Sequence, residues 1–260
     1  MYFGFEHITI KYGQKIILQD LSLDIPKSRI VSLIGANGCG KSSLLKTISR
    51  AVVPKTGYPV YNGEPIFKCP PKQVARKIAY LAQVHSSPPD IDVSTLVSYG
   101  RYPYMKFGRG LTGKDKTIVD DAIHMTGLTE LRFHAINTLS GGERQRAWIA
   151  MTVAQQPEIL ILDEPTTYLD IGYQVEVLEL VRKLNAERGI TILMVLHDLN
   201  LAARYSDALY MIKDGTVFDS GTPSEVLTKE NLRHVFGIDA QIFSDPIYHC
   251  PFFIPNKSLL

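Results

Sequence analysis

Cysteine is scarce in this sequence: Cys39, Cys69 and Cys250 are the only three in 260 residues. An odd count suits no disulfide framework, and the spacing matches no zinc pattern. A reducing compartment is the simplest reading. Excess charge is also missing. The 28 Lys and Arg against 26 Asp and Glu leave a net charge of +2, which gives no electrostatic case for a nucleic-acid partner. Long apolar runs are absent as well. "ITILMVL" at 190–196 is strand-sized, and no run approaches the roughly 18 residues that a bilayer span requires. The opening "MYFGFEHITI" has no basic stretch and carries Glu6, so we expect no signal peptide and a chain that is soluble by itself. No internal repeat or low-complexity tract stands out.

What is present is the composition of an ordinary globular protein, 45% hydrophobic and 21% charged. The length suits one large domain, or a domain with an inserted subdomain. "IVSLIG", "EILILDEP" and "GITILMVLHD" read as buried strands. "KSSLLKTISRAV" reads as a helix. "YQVEVLELVRKLNAERG" reads as an amphipathic helix, apolar at Val175, Leu178, Val181 and Leu184 and closed by Gly189. Strand–helix–strand order predicts a parallel sheet flanked by helices. From about His85 to Gln156 the patterns are helical: "VSTLVSYGR", "KDKTIVDDAIHMTG" and "GERQRAWIAMTVAQQ". We therefore expect a single domain, 1–260, in which a helical subdomain at 86–156 is inserted into an α/β core formed by 1–85 and 157–260. "ALYMIKDGTVFDSG" predicts a hairpin turning at Asp214-Gly215. The tail "DPIYHCPFFIPNKSLL" is expected to be an irregular arm.

"GANGCGKS", Gly35 to Ser42, fits G-x-x-x-x-G-K-[ST] in full. Backbone N–H groups must wrap phosphates there, so Gly35, Ala36, Asn37, Gly38, Cys39 and Gly40 are small or compact. Lys41 is expected to reach the β- and γ-phosphates and the Ser42 hydroxyl to ligate Mg²⁺. "ILILDEP" delivers Asp163 at the carboxyl end of a strand, where it would hold Mg²⁺ through water. Glu164 beside it would take a proton from an attacking water. "TLSGGERQR", Thr138 to Arg146, carries a second loop with the look of a phosphate site: Ser140 stands at an N-cap and Glu143 at the spacing of a capping box. By itself it reads as a plain capped helix start.

Taken in order, these motifs resemble those of the ATP-binding subunit of ABC transporters over nearly the whole length. The resemblance implies a P-loop NTPase core with a parallel sheet flanked by helices, an N-terminal antiparallel β portion and an inserted helical subdomain. It implies that Tyr12, in "KYGQKIIL", stacks on adenine, and that Ser43 joins the phosphate loop. Gln83, in "YLAQ", would sense Mg²⁺ and the membrane partner, and His197, in "VLHDL", would contact the γ-phosphate. Leu139 to Glu143 match the signature loop, and Asp170 closes the loop that follows the catalytic carboxylate. Ala36 stands where proline is common, and Glu143 where glutamine is usual; neither change removes a required donor.

In that family two subunits face each other head to tail. The resemblance therefore implies that Ser140, Gly141 and Gly142 of one copy complete the ATP cage of the other. It also implies partners: membrane-spanning permease subunits, a second copy of the chain and, indirectly, a substrate-binding protein, with the chain peripheral on the cytoplasmic face of the inner membrane. "GRYPY", Gly100 to Tyr104, and "RQRAWIAMTVAQQPEILILDEPTTYLD" are similar to segments of iron–siderophore uptake ATPases, with haem or cobalamin import as alternatives. Arg101, Tyr102 and Tyr104 are also compatible with a plain helix–loop junction. A non-transport relative acting in DNA repair or translation is the rival of another class. Such relatives tend to carry a long coiled coil or tandem cassettes, and neither fits in this length.

Overall fold

The computed structural model describes residues 1–83, 90–106 and 110–259. Two compact units are described in turn: Met1–Lys68 with Thr191–Leu260, and Cys69–Ile190.

In the first unit, strand Phe3–Tyr12 pairs antiparallel with Lys15–Ile25 on one side and Thr56–Tyr61 on the other. Its apolar residues change parity: Phe3 and Phe5 are buried, then Ile8 and Ile10. A bulge resolves the mismatch. The register shifts between Phe5 and Ile8, where His7 adopts φ 53°, and the strand keeps one face on the core.

The phosphate-loop strand Ile30–Gly35 lies between Thr191–Val195 and Ala208–Lys213, parallel to both. Its six residues are all buried, as the unbroken apolar run predicts. Thr216–Gly221 adds an antiparallel edge through the expected hairpin, with Asp214 at φ 48° and Gly215 at φ 79°.

Two expectations in this unit need correction. The helix after the phosphate loop covers only Lys41–Lys46. Beyond it, Thr47 and Ile48 donate to carbonyls three residues back, Leu44 and Leu45, and the Thr47 hydroxyl also bonds the Leu44 carbonyl at 2.6 Å. β-Branched residues and this local hydroxyl bond tighten the chain out of the α form. The tail is not an irregular arm. Ile238–Ser244 and Pro251–Ser258 form an antiparallel hairpin, with Phe243 and Phe252 stacked at 5.4 Å between ring centroids. Its prolines are tolerated because a two-stranded ribbon leaves half of its backbone groups facing outward.

The second unit holds a parallel strand pair, Ile78–Leu81 with Ile159–Asp163. Its longer helices are Val93–Ser98, Gly113–Met125, Gly141–Ala154 and Ile171–Arg188. The first is shorter than "VSTLVSYGR" predicts, because Tyr99–Tyr104 forms a 3₁₀ turn around Pro103, which has no N–H to donate. Helix Ile171–Arg188 ends at Gly189, φ 63°, as expected. Its buried stripe adds Val177 and Leu180 to Leu178, Val181 and Leu184, while Val175 is only half-buried. The expected 85/86 boundary lies outside the described residues.

Arg101 organises this unit. It is 4% exposed, donates to Asp115 Oδ1 at 2.9 Å and to the Ala154 carbonyl at 2.8 Å, and stacks 3.9 Å from the Tyr104 ring. It therefore fixes the C-terminal end of Gly141–Ala154, the helix that begins after Ser140. The Thr112 hydroxyl, then its N–H and Arg101, hold the Asp115 carboxyl below the ordinary range against the opposing effect of burial. Asp115→Ala leaves the guanidinium buried without its carboxylate and is expected to cost about 3 kcal/mol, read as a lower urea midpoint. Because the carboxyl's folded pKa is depressed, the wild-type contribution is present above the unfolded carboxyl's pKa and is lost as pH falls through the folded one. The stability gap between variant and wild type therefore narrows in acid.

Candidate nucleotide site

The phosphate loop leaves its strand at Gly35, φ 148°, where a Cβ would lie 2.2 Å from the Ile212 carbonyl oxygen. It enters its helix at Gly40, φ 105°, where a Cβ would meet the Leu18 side chain at 2.5 Å. Only glycine meets both demands, the backbone and the close approach. Ala36, Asn37 and Gly38 are exposed, and Cys39, Ser42 and Ser43 half-buried. Lys41 is 5% exposed and curls back into the loop. Its Nζ donates to the carbonyls of Gly35 at 2.8 Å and Ala36 at 3.0 Å, and lies 3.6 Å from Cys39 Sγ. Tyr12 is half exposed and donates its hydroxyl to Ser43 Oγ at 3.4 Å, so the expected adenine-stacking ring stands beside the loop. In the same unit His197 is exposed, in the three-residue link between strand Thr191–Val195 and helix Leu199–Tyr205.

The carboxylates belong to the other unit. Strand Ile159–Asp163 is buried throughout and ends on Asp163, 2% exposed. Tyr80, on the paired strand, donates to Asp163 Oδ2 at 3.1 Å. Burial, and then the Asp163 charge, push the Tyr80 hydroxyl's pKa far up, so it stays a donor. Glu164 follows at φ 55°, a left-handed conformation costing a non-glycine residue about 1 kcal/mol. Gln83 Nε2 donates to its Oε2 at 2.6 Å and the Thr167 hydroxyl donates to the same oxygen at 3.1 Å. The two donors orient the carboxylate.

The second loop, in this unit too, closes as a full capping box. Ser140 Oγ accepts from the Glu143 N–H at 3.3 Å, and Glu143 Oε2 accepts from the Ser140 N–H and hydroxyl at 2.8 Å each. These bonds hold the Glu143 carboxyl below its ordinary range. At Gly142 a Cβ would lie 2.3 Å from Tyr173 Cδ1 and 3.0 Å from Tyr173 Cβ, so a side chain there would force helix Ile171–Arg188 away. Asp170, exposed at the start of that helix, makes no side-chain cap bond to it.

Among the described residues no group of three His, Cys, Asp or Glu could hold a metal ion. The Asp163 carboxylate in this unit and the Ser42 hydroxyl in the other are each the kind of hard oxygen donor that Mg²⁺ takes alongside phosphate and water oxygens.

A family model described as ABC transporter matches residues 18–167. The chain belongs to the ABC transporter family. The iron(3+)-hydroxamate import ATP-binding protein FhuC of Bacillus subtilis is 49% identical over 242 residues, covering 93% of this chain and 90% of that protein. The achromobactin transport ATP-binding protein CbrD of Dickeya dadantii is 44% identical over 248 residues, 95% and 92% of the two chains. The ferric enterobactin transport ATP-binding protein FepC of Escherichia coli is 42% identical over 250 residues, 96% and 92%. Among solved structures, a chain of an ABC transporter in an inward-facing conformation matches with TM-score 0.85 at 26% identity, over 98% of this chain and 97% of that one. The dimeric post-hydrolysis cassette MJ0796 bound to ADP and Pi matches with TM-score 0.71 at 27% identity, over 85% and 98%. The fold is thus that of the P-loop NTPase cassettes, and the ABC cassette binds ATP.

Within each unit, residues far apart in sequence come together: Tyr12 with Ser43 and Gln83 with Glu164. Sequence reasoning missed Tyr80 and Thr167. Tyr80 had a signal, since a tyrosine inside the apolar run "IAYL" must find a partner for its hydroxyl. Thr167 had none, being one of two adjacent threonines after Pro165.

Proposed function

We propose that this chain is the ATP-hydrolysing subunit that powers import of a ferric siderophore through a membrane ABC transporter. The observation that carries the reading is the 42–49% identity, over at least 93% of the chain, to ATP-binding proteins named for ferric hydroxamate, achromobactin and ferric enterobactin transport. Import ATPases of this family work with membrane permease subunits and pair as cassettes. No described helix is long and apolar enough to cross a membrane. The proposed place of the chain, as an import ATPase, is peripheral on the cytoplasmic face of the inner membrane. A substrate-binding protein would act through the permease. The stretch 86–156 is proposed as the inserted helical subdomain.

In the proposed mechanism, ATP enters with its adenine on Tyr12 and its phosphates on Gly35 to Ser43. Lys41 exchanges its two loop carbonyls for phosphate oxygens, so the loop is held ready before nucleotide arrives. Ser42, Asp163 and Gln83 would hold Mg²⁺, which when bound offsets phosphate charge. Glu164, oriented by Gln83 and Thr167, takes a proton from the attacking water. The water oxygen forms a bond to the γ-phosphorus as the bond to the β–γ bridging oxygen breaks, and ADP leaves with that electron pair. His197 donates to the γ-phosphate. Ser140, Gly141 and Gly142 of a second copy contribute donors at a helix N-terminus, and Asp170 lies at the same junction.

The test is uptake of labelled ferric siderophore by cells lacking the chain. Complementation by wild type, and its loss with Lys41→Ala, is the expected result. Siderophore uptake that persists without the chain, while haem or cobalamin uptake fails, would reassign the cargo.

A further inference from the structure

The three-residue link that carries His197 is followed by a helix of only seven residues, Leu199–Tyr205. A helix this short has little stability of its own, so its position is set by what packs on it. One face is core: Leu199, Ala202, Ala203 and Tyr205 are buried. The other is taken by the C-terminal hairpin, at two points one helical turn apart.

Asn200 Nδ2 donates to the Phe253 carbonyl at 3.2 Å, and the Phe253 N–H donates back to Asn200 Oδ1 at 2.9 Å. The amide thus binds strand Pro251–Ser258 as a neighbouring peptide group would, satisfying an edge N–H and C=O together. At i+4, the Arg204 guanidinium stacks 3.9 Å from the ring of Tyr248. The Tyr248 connection is itself fixed, because Asp245 Oδ1 accepts from the N–H groups of Ile247 and Tyr248 at 2.8 Å each. At the helix start, Asp198 accepts from the Leu201 N–H at 2.9 Å, so the residue after His197 is tied to the same helix.

We propose that the C-terminal hairpin is a brace that sets the position of His197 for hydrolysis, with Asn200 as its principal positioning residue and Arg204 as the second. The proposal rests on the reading that His197 contacts the γ-phosphate. A double hydrogen bond from the first turn of a short helix to the edge of a strand limits how far that turn, and the link before it, can shift. ATP binding, which rests on the phosphate loop and Tyr12, does not depend on it.

The experiment compares full-length wild type, Asn200→Ala, His197→Ala, the double variant and Arg204→Leu. It measures MgATP hydrolysis, affinity for a fluorescent ATP analogue, and folding by far-UV circular dichroism. Asn200→Ala is expected to lower kcat about tenfold while nucleotide affinity stays within about twofold, because a small misplacement of a positioned group acts on the rate. Adding Asn200→Ala to His197→Ala is expected to slow hydrolysis by less than about twofold more, the non-additivity of two residues acting through one contact. A folded Asn200→Ala with wild-type kcat beside an impaired His197→Ala overturns the brace and keeps the His197 reading. Losses that multiply in the double variant also overturn the brace. His197→Ala turning over at the wild-type rate removes the reading on which it rests. If Asn200→Ala does not fold, Arg204→Leu, which loosens the second anchor, decides by the same criteria.

Discussion

Glu164→Gln is expected to lower kcat for MgATP hydrolysis about 10²- to 10³-fold, within the range general-base groups contribute, with ATP affinity within about threefold of wild type. The substitution keeps the shape of the side chain and a carbonyl oxygen able to accept from Gln83 and Thr167, which now bond Oε2 at 2.6 and 3.1 Å. It removes the proton acceptor. Two donors on one carboxylate oxygen argue that this group is held for a task. Steady-state phosphate release, with binding followed separately, checks the split. Wild-type turnover by Glu164→Gln would show that another group takes the proton.

Ser140→Arg is expected to leave ATP binding to the isolated chain within about twofold of wild type and to lower turnover about 100-fold, the scale of losing preorganised donors around a developing charge. Ser140 is engaged with Glu143 at the start of its own helix. Its proposed role is on the ATP held by a second copy. A bulky arginine at the N-cap blocks that approach. Losing the cap itself costs about 1 kcal/mol, so a modest shift in melting temperature accompanies a large loss of turnover. A variant that hydrolyses ATP normally would confine the second loop to capping its helix.

Much of the site is legible because its demands are local. Gly35 to Ser42, the Ser140–Glu143 capping box, Gly189 and the Asp214-Gly215 turn each express their geometry within a few residues. The missed features depend on distant partners. The bulge at His7 becomes necessary only when Phe3, Phe5, Ile8 and Ile10 share one sheet face. Pro251–Ser258 becomes a strand because Ile238–Ser244 pairs with it, and the strand's two prolines hide that outcome in one dimension. Arg101, read in sequence as part of a segment similar to those of iron–siderophore uptake ATPases or as a plain helix–loop junction, is a buried clamp whose partners Asp115 and Ala154 lie 14 and 53 residues away. Of its near neighbours Tyr102, 70% exposed, is the most open to a partner, with Tyr99 next at 42%.

The central claim is that two copies share each ATP. Light scattering on Glu164→Gln tests it most directly, because blocked hydrolysis lets the closed pair accumulate. With MgATP the mass is predicted to rise from 29.1 kDa to twice that value, and to stay at 29.1 kDa when Ser140→Arg is added. A Glu164→Gln chain that binds ATP yet remains at 29.1 kDa, or a Ser140→Arg double variant that still pairs, would contradict the account.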